Sequence, residues 1–237
     1  MTIPSEPIRA EQRLASELDR SQRLRARALE DDTYAARRTQ LREWQARRLA
    51  RTHADLLASP RFHAGTDFFL TDLYGARDLS EGIDEVRRIV PAMVRVLPAS
   101  ALETIADAIE LDALTEDLDS ALAGALGPLD DSISAAAYAA AYREVGRRDD
   151  RLRQIGLIAR LGQSLDSLKR KPFVGVGLRM MRKPAVLAGF GRLHSFLERG
   201  YAAFRLMSGS AEFLNIVAER EKQVSESLFA GEDSVLG

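Results

Sequence analysis

The feature that most constrains the fold is a stretch near the amino end, residues 9–58, that contains neither proline nor glycine. Arginine, alanine, leucine, glutamate and glutamine dominate this stretch, and all five favour the α-helix. The sequence therefore predicts one or two long helices over residues 8–57, with Glu30–Thr33 as the point where a first helix would end. Its apolar residues are too few for a helix buried on all sides. The predicted helices therefore either lie across a core or project as an arm.

The rest of the chain also carries helix signals. A capping box at Ser100 opens a helix whose apolar residues change sides after Ile109, so we expect this helix to end or bend near Asp112. Further helices are predicted over residues 134–145 and 147–168. No segment shows sustained alternation of apolar and polar residues, so the sequence predicts no strands.

These signals predict the fold class and the organisation of the chain. The fold class is all-α, an irregular multi-helix bundle with a long N-terminal helical arm. The chain has 237 residues, which is enough to bury a sizeable core. We expect an arm over residues 1–58, a helical core domain over 59–228 and a short disordered tail over 229–237.

The densest apolar and aromatic run is Phe68–Gly75, and helix signals bracket it closely. Ser59 and the following proline predict a helix start, and the glycine at position 75 predicts its end. Phe69 lies on the face of this helix that we expect to be buried. Phe68 and Tyr74 lie on the two flanks, so each either packs against a second helix or lines a pocket.

This run resembles the Phe-Phe-Leu-x-x-Leu-Tyr-Gly signature of a family of uncharacterised bacterial proteins. The likeness continues through short segments between Arg77 and Thr104 and through a second block from Arg182 to Met207. The resemblance implies an all-helical bacterial protein. It supplies no catalytic residues.

Composition and missing motifs exclude several chemistries. The chain has no cysteine, which removes disulfides, thiolate metal sites and cysteine nucleophiles. Its three histidines form none of the usual metal-binding patterns, and phosphate-binding loops and serine nucleophile motifs are absent. We therefore predict no catalytic residues, no metal site and no cofactor.

The sequence also bears on location and on nucleic acid. No apolar run is long enough for a transmembrane segment, and the first twelve residues lack the apolar core of a secretory signal, so we expect a cytoplasmic protein. Arginine pairs at residues 37–38 and 47–48 are interspersed with acids, and a platform of aromatic side chains for stacking bases is absent. The sequence therefore does not favour nucleic acid as a partner.

Charge is strongly segregated along the chain. Residues 61–150 contain 18 acidic and 8 basic side chains, whereas residues 151–210 contain 2 acidic and 12 basic ones. Either these two segments face each other within the fold, or the basic one is a site for an anion or an anionic membrane surface. The basic side chains concentrate in residues 169–192, among apolar ones, and include Arg179 and Arg182.

A regular helical stripe of apolar residues runs from Val186 to Phe204 and predicts one helix over 186–207. One edge of the stripe carries four residues that could hold an anionic or carbonyl ligand or, alternatively, satisfy one another at a helix boundary. These four are His194, Glu198, Tyr201 and Arg205.

We therefore predict a non-catalytic binding or interaction module whose partner is unknown. A protein partner, or self-association through the N-terminal helix, would fit this prediction. The alternative is an enzyme or carrier for a small anionic ligand, acyl or phosphate-bearing, held between the Phe68–Gly75 helix and the predicted 186–207 helix. The candidate ligand-binding residues are Phe68, Tyr74, Arg179, Arg182, His194, Glu198, Tyr201 and Arg205.

Overall fold

A computed structural model describes most of the chain, namely residues 6–29, 32–73, 90, 99–127, 132–169, 174–187, 191–207 and 209–236. These residues form helices and turns, and no strand occurs among them, which confirms the all-α fold class. The helices, in chain order, are α1 (Glu6–Leu29), α2 (Asp32–Thr52), α3 (Ala54–Ala58), α4 (His63–Phe68), a π-helical segment (Phe69–Leu73), α5 (Ala99–Ala125), α6 (Ala135–Val145), α7 (Arg148–Lys169), α8 (Val174–Leu187), α9 (Gly191–Leu206) and α10 (Ser210–Ala230).

The two long N-terminal helices lie across the core. Helix α1 packs along α5, and α2 packs against the same helix further on. Their sparse apolar residues point inward, and five of them are buried: Leu14, Leu18, Leu41, Trp44 and Leu49. The division of the chain at residue 58 stays a prediction, for which a truncation test is given below.

Helix α5 is the centre of the bundle and is continuous from Ala99 to Ala125, so the helix does not end near Asp112, the first of the two predicted alternatives. The reason is that both of its sides are buried. Ala106 and Ile109 face α1 in one apolar cluster, whereas Leu114 and Leu118 belong to the main cluster on the other side. A helix covered on two sides needs no single apolar stripe.

Acidic residues fill the flanks of α5 and are paired with arginines from three neighbouring helices. Glu110 receives hydrogen bonds from Arg13 of α1 and Arg153 of α7, and Glu116 receives them from two arginines of α2. Buried carboxylates require such partners, because leaving a charge unpaired in the interior is costly. Arg153, Arg160 and Arg199 pair with acids of the 61–150 segment, so part of the basic segment 151–210 faces the acidic one as the first alternative expected. Among the described residues, no ion pair joins the acidic segment to residues 174–187.

The carboxyl end of the chain turns back onto the core. Gly231 ends α10 with φ of 87°, a left-handed conformation that favours glycine. A short 3-10 turn, Asp233–Leu236, follows, and Leu236 is buried in the cluster that contains Trp44 and Tyr138. The structure therefore describes most of the nine residues for which the sequence predicted a disordered tail.

Helices α8 and α9 form an antiparallel hairpin on the outside of the bundle. Gly175, near the start of α8, lies against Tyr201, late in α9, and Arg182 pairs with Glu198. Helix α9 packs on α4 and α7, whereas α8 packs mainly on α9. The described residues of the predicted single helix over 186–207 therefore belong to two helices, α8 up to Leu187 and α9 from Gly191.

Candidate functional site

The candidate site is the solvent-facing side of α8, the outermost helix. Of the eight large apolar side chains that are exposed in the described residues, five lie on this one helix. Met180 is 73 % exposed and Leu187 is 88 % exposed. Within α8 the only buried side chain is Ala185. The helix therefore contacts the bundle along a narrow line and presents the rest of its surface to solvent.

Helical spacing sorts the exposed residues of α8 into two adjacent rows. At 100° per residue an apolar row lies along the outward side, and a basic row runs beside it. We call the two rows together the outer face of α8. The apolar row is Val176, Met180, Pro184 and Leu187, with Met181 at its margin, and the basic row is Arg179, Arg182 and Lys183, with the exposed Val186 among them.

The basic row keeps most of its charge available. Arg182 is ion-paired with Glu198, with Nη2 lying 2.9 Å from a carboxylate oxygen, although its side chain is 64 % exposed. Arg179 and Lys183 are exposed and form no ion pair with any residue that the structure describes. Helix α8 itself contains no acid. The charged side chains of the outer face of α8 are therefore all positive.

The remaining candidate residues are either on α9 itself or, in the case of Phe68, packed against its opposite side. His194, Glu198 and Tyr201 face α8, and His194 Nε2 lies 3.6 Å from a carboxylate oxygen of Glu198. Arg205 is exposed. Phe68 approaches α9 from the core side. The structure thus brings Arg182, His194 and Glu198 together and leaves Phe68 on the far side of the helix.

Phe68 fills the space between the π-helical turn and α9. Its ring is buried and lies 5.4 Å, centroid to centroid, from the ring of Phe196. A Cβ atom added to Gly200 would lie 2.9 Å from the Phe68 ring, so α9 approaches here only because it has a glycine. Phe68 therefore packs against a second helix, the first of the two predicted alternatives. Tyr74 lies outside the described residues.

Sequence reasoning missed a buried polar cluster formed by Arg48, His53 and Glu221. Nη1 of Arg48 donates to both carboxylate oxygens of Glu221 at 2.7 Å, and His53 Nε2 lies 3.1 Å from one of them. Burial by itself raises the pKa of Glu221, but the charge of Arg48 and the hydrogen bonds from both partners outweigh burial and lower it. No sequence spacing relates His53 to Glu221, so only the fold could reveal this cluster.

The cluster is buried, and the charge of Arg48 is balanced by that of Glu221, which is typical of a structural network. No group of three or more histidine and acidic side chains in the described residues is arranged to hold a metal ion. Among the same residues, no helix combines the length and the apolar character that crossing a membrane requires.

Comparison with known proteins gives a family without an assigned activity. No curated protein and no solved structure matches the chain. Residues 24–235 match a domain of unknown function, DUF8198, a span that includes helices on both sides of residue 58 and the whole outer face of α8. The chain belongs to the DUF8198 family.

Proposed function

We propose that this protein is a non-catalytic binding module that engages its partner through the outer face of α8. The observation that carries the proposal is the concentration of exposed apolar side chains on one helix of 14 residues. Scattered single apolar residues are ordinary on protein surfaces, but a contiguous group bordered by charge is typical of an interaction site. The positive row beside it selects for a partner with negative charge.

The fold supports binding rather than catalysis on this face. The outer face of α8 is convex, whereas an active site needs a concave pocket in which polar groups converge. Its polar groups are arginine and lysine, and Glu198, the carboxylate described beside them, is ion-paired with Arg182. The cost of exposing Met180 and Leu187 to water is removed when a partner covers them.

Site-specific photocrosslinking in the producing cells tests the proposal. A photoreactive amino acid replaces Met180 in one variant and Leu152 in a second, matched variant. Leu152 is an exposed apolar residue of α7, away from α8, so both replacements leave the fold intact. We expect a discrete adduct, with protein or with lipid, from position 180 and none from position 152. Absence of an adduct at 180, or the same adducts at both positions, would overturn the proposal.

A second candidate function is a carrier or enzyme for a small anionic ligand, and one observation favours it. Nε2 of His194 is buried and has no hydrogen-bond partner among the described residues, and Glu198 and Arg182 lie beside it. A ligand oxygen would satisfy that nitrogen. Native mass spectrometry of the purified protein tests this function. A small anionic adduct that His194→Gln removes would support it, and a spectrum of the bare chain would contradict it.

A further inference from the structure

The outer face of α8 also carries information about the nature of its partner. The argument rests on the proposed function, that this face binds something, and asks which chemistry and which shape it fits. Three properties of the face bear on that question: the length of its apolar row, the position and sign of its charges, and its place at the outside of the bundle.

The apolar row runs along about three turns of α8 and includes Pro184, which lies inside the helix. Val176, Met180, Pro184 and Leu187 follow one another at spacings of four, four and three residues. At a rise of 1.5 Å per residue the row extends for about 16 Å parallel to the helix axis. Helix α8 packs mainly on α9 and only weakly on α7, and all four members of the row are exposed.

The basic row is placed to reach a charged layer while the apolar row enters an apolar one. Arg179, Arg182 and Lys183 lie along one flank of the apolar row. Their long side chains can extend sideways and keep their charged ends in a polar layer. Helices that lie in the plane of a membrane have this arrangement, with apolar residues buried among the acyl chains and basic ones among the head groups.

Charge and shape distinguish the possible partners of the outer face of α8. A second copy bound about a two-fold axis would add a second positive row to the interface and no acid of α8 to offset it, because an isologous interface uses the same patch on both chains. A protein partner would need a groove shaped to a convex helix. A lipid surface is planar and deformable and needs no matching groove.

We infer that the outer face of α8 binds an anionic lipid surface, with α8 lying parallel to the membrane plane. The apolar row enters the boundary between head groups and acyl chains, and the basic row contacts lipid phosphates. The protein attaches to one side of the bilayer.

Vesicle flotation with the full chain tests the inference. We expect the protein to float with vesicles of phosphatidylcholine mixed with phosphatidylglycerol, and to remain behind with phosphatidylcholine alone. Replacing both cations, Arg179→Gln with Lys183→Gln, should lower the partition coefficient by about tenfold or more. Arg23→Gln, at an exposed arginine of α1, is the control and should leave binding unchanged.

The depth of insertion is measured independently. Because the chain has no cysteine, Leu187→Cys and Leu152→Cys each provide one position for an environment-sensitive dye. Anionic vesicles should shift the emission of the dye to the blue at position 187 and leave it unchanged at 152. These variants also remove only one exposed side chain each, so they retain the fold.

The outcomes separate this inference from the proposed function. If the native chain does not float with anionic vesicles, or if floating is insensitive to the Arg179 and Lys183 changes, the lipid inference is overturned. A protein adduct from position 180 would then preserve the proposed function and identify the partner as an acidic protein. If no adduct forms either, both fail.

Discussion

Arg48 and Glu221 are 173 residues apart in sequence and form a buried ion pair between two helices. Nη1 of Arg48 lies 2.7 Å from each carboxylate oxygen of Glu221. The pair joins α2 to α10. Leu49, next to Arg48, belongs to the main apolar cluster, whereas Leu228, two turns after Glu221, belongs to the cluster around Trp44. The charged pair therefore lies where two apolar clusters meet, and it fixes how the two helices align.

The first prediction concerns this pair. Glu221→Gln leaves the guanidinium of Arg48 buried without its counter-charge, and breaking a buried pair in this way costs about 3–5 kcal/mol. Urea unfolding followed by circular dichroism measures the loss. Glu226→Gln, at an exposed carboxylate on the same helix, should change the free energy of unfolding by less than about 0.5 kcal/mol. Equal effects of the two changes would show that the buried pair does not stabilise the fold.

The second prediction concerns pH. The pKa of Glu221 is lower in the folded protein than its ordinary value of 4.5, so its carboxylate stabilises the fold. That contribution is fully present above pH 4.5 and is lost as the pH falls through the lower pKa of the folded state. The difference in Tm between the native chain and Glu221→Gln should therefore be constant near neutral pH and shrink below pH 4.5. A difference that stays constant down to the acid limit of cooperative unfolding would contradict the assignment.

The third prediction compares two acids of α5 that differ in burial. The Glu116 side chain is 1 % exposed and pairs with Arg38 and Arg42, whereas that of Glu103 is 45 % exposed and pairs with Arg13. Glu116→Gln should lower the free energy of unfolding by about 3–5 kcal/mol, because it leaves buried charge behind. Glu103→Gln should cost less than about 1 kcal/mol, since water screens its pair. Chemical denaturation of both variants in one buffer checks the order, and a reversed order would refute the argument from burial.

The fourth prediction uses two glycines of α7. A Cβ at Gly162 would overlap the buried side chain of Leu214 on α10, whereas the nearest atom to a Cβ at Gly156 is 3.8 Å away. Both changes to alanine gain helix propensity, worth about 1 kcal/mol. Gly156→Ala should therefore raise the Tm, and Gly162→Ala should lower it, because overpacking costs about 1–3 kcal/mol. If Gly162→Ala also stabilises, then α7 and α10 are packed less closely than described.

The fifth prediction addresses the division of the chain at residue 58. A separate core domain would unfold cooperatively when the chain begins at Ala58. The truncation, however, removes the buried side chains of Leu41, Trp44 and Leu49 together with Arg48. We expect the truncated chain to lose its cooperative thermal transition. The free energy lost with several large buried side chains exceeds the free energy of unfolding of an ordinary domain. A sharp transition close to that of the full chain would instead support the predicted division.

Local signals located individual helices well. The predicted helix over 134–145 is α6, and the hydroxyl of Ser134 caps it by accepting a hydrogen bond from the amide of Ala137 at 3.1 Å. The helix predicted over 147–168 is α7, within one residue at each end. Phe69 is buried, as its position on the helix face predicted. These features depend on caps and spacing within a few residues, which the sequence shows directly.

Features that depend on distant partners could not be predicted. Helix α5 continues past Asp112 because other helices cover both its sides, and nothing within α5 reveals that. The helix predicted to start at Ser59 begins instead at His63, after a turn. The buried cluster of Arg48 and Glu221 requires α2 and α10 to be adjacent. For the candidate site, the sequence located the basic and apolar residues of α8, but their exposure follows from the packing of α9.

The ion pairs described between helices have a consequence for covalent modification. Each of them uses arginine as its cation, and the chain has only four lysines, of which Lys183 lies on the outer face of α8. Acetylation neutralises lysine and leaves arginine unchanged. An acetylating enzyme or an amine-reactive reagent would therefore change the charge of the outer surface while the pairing that holds the helices together stays intact.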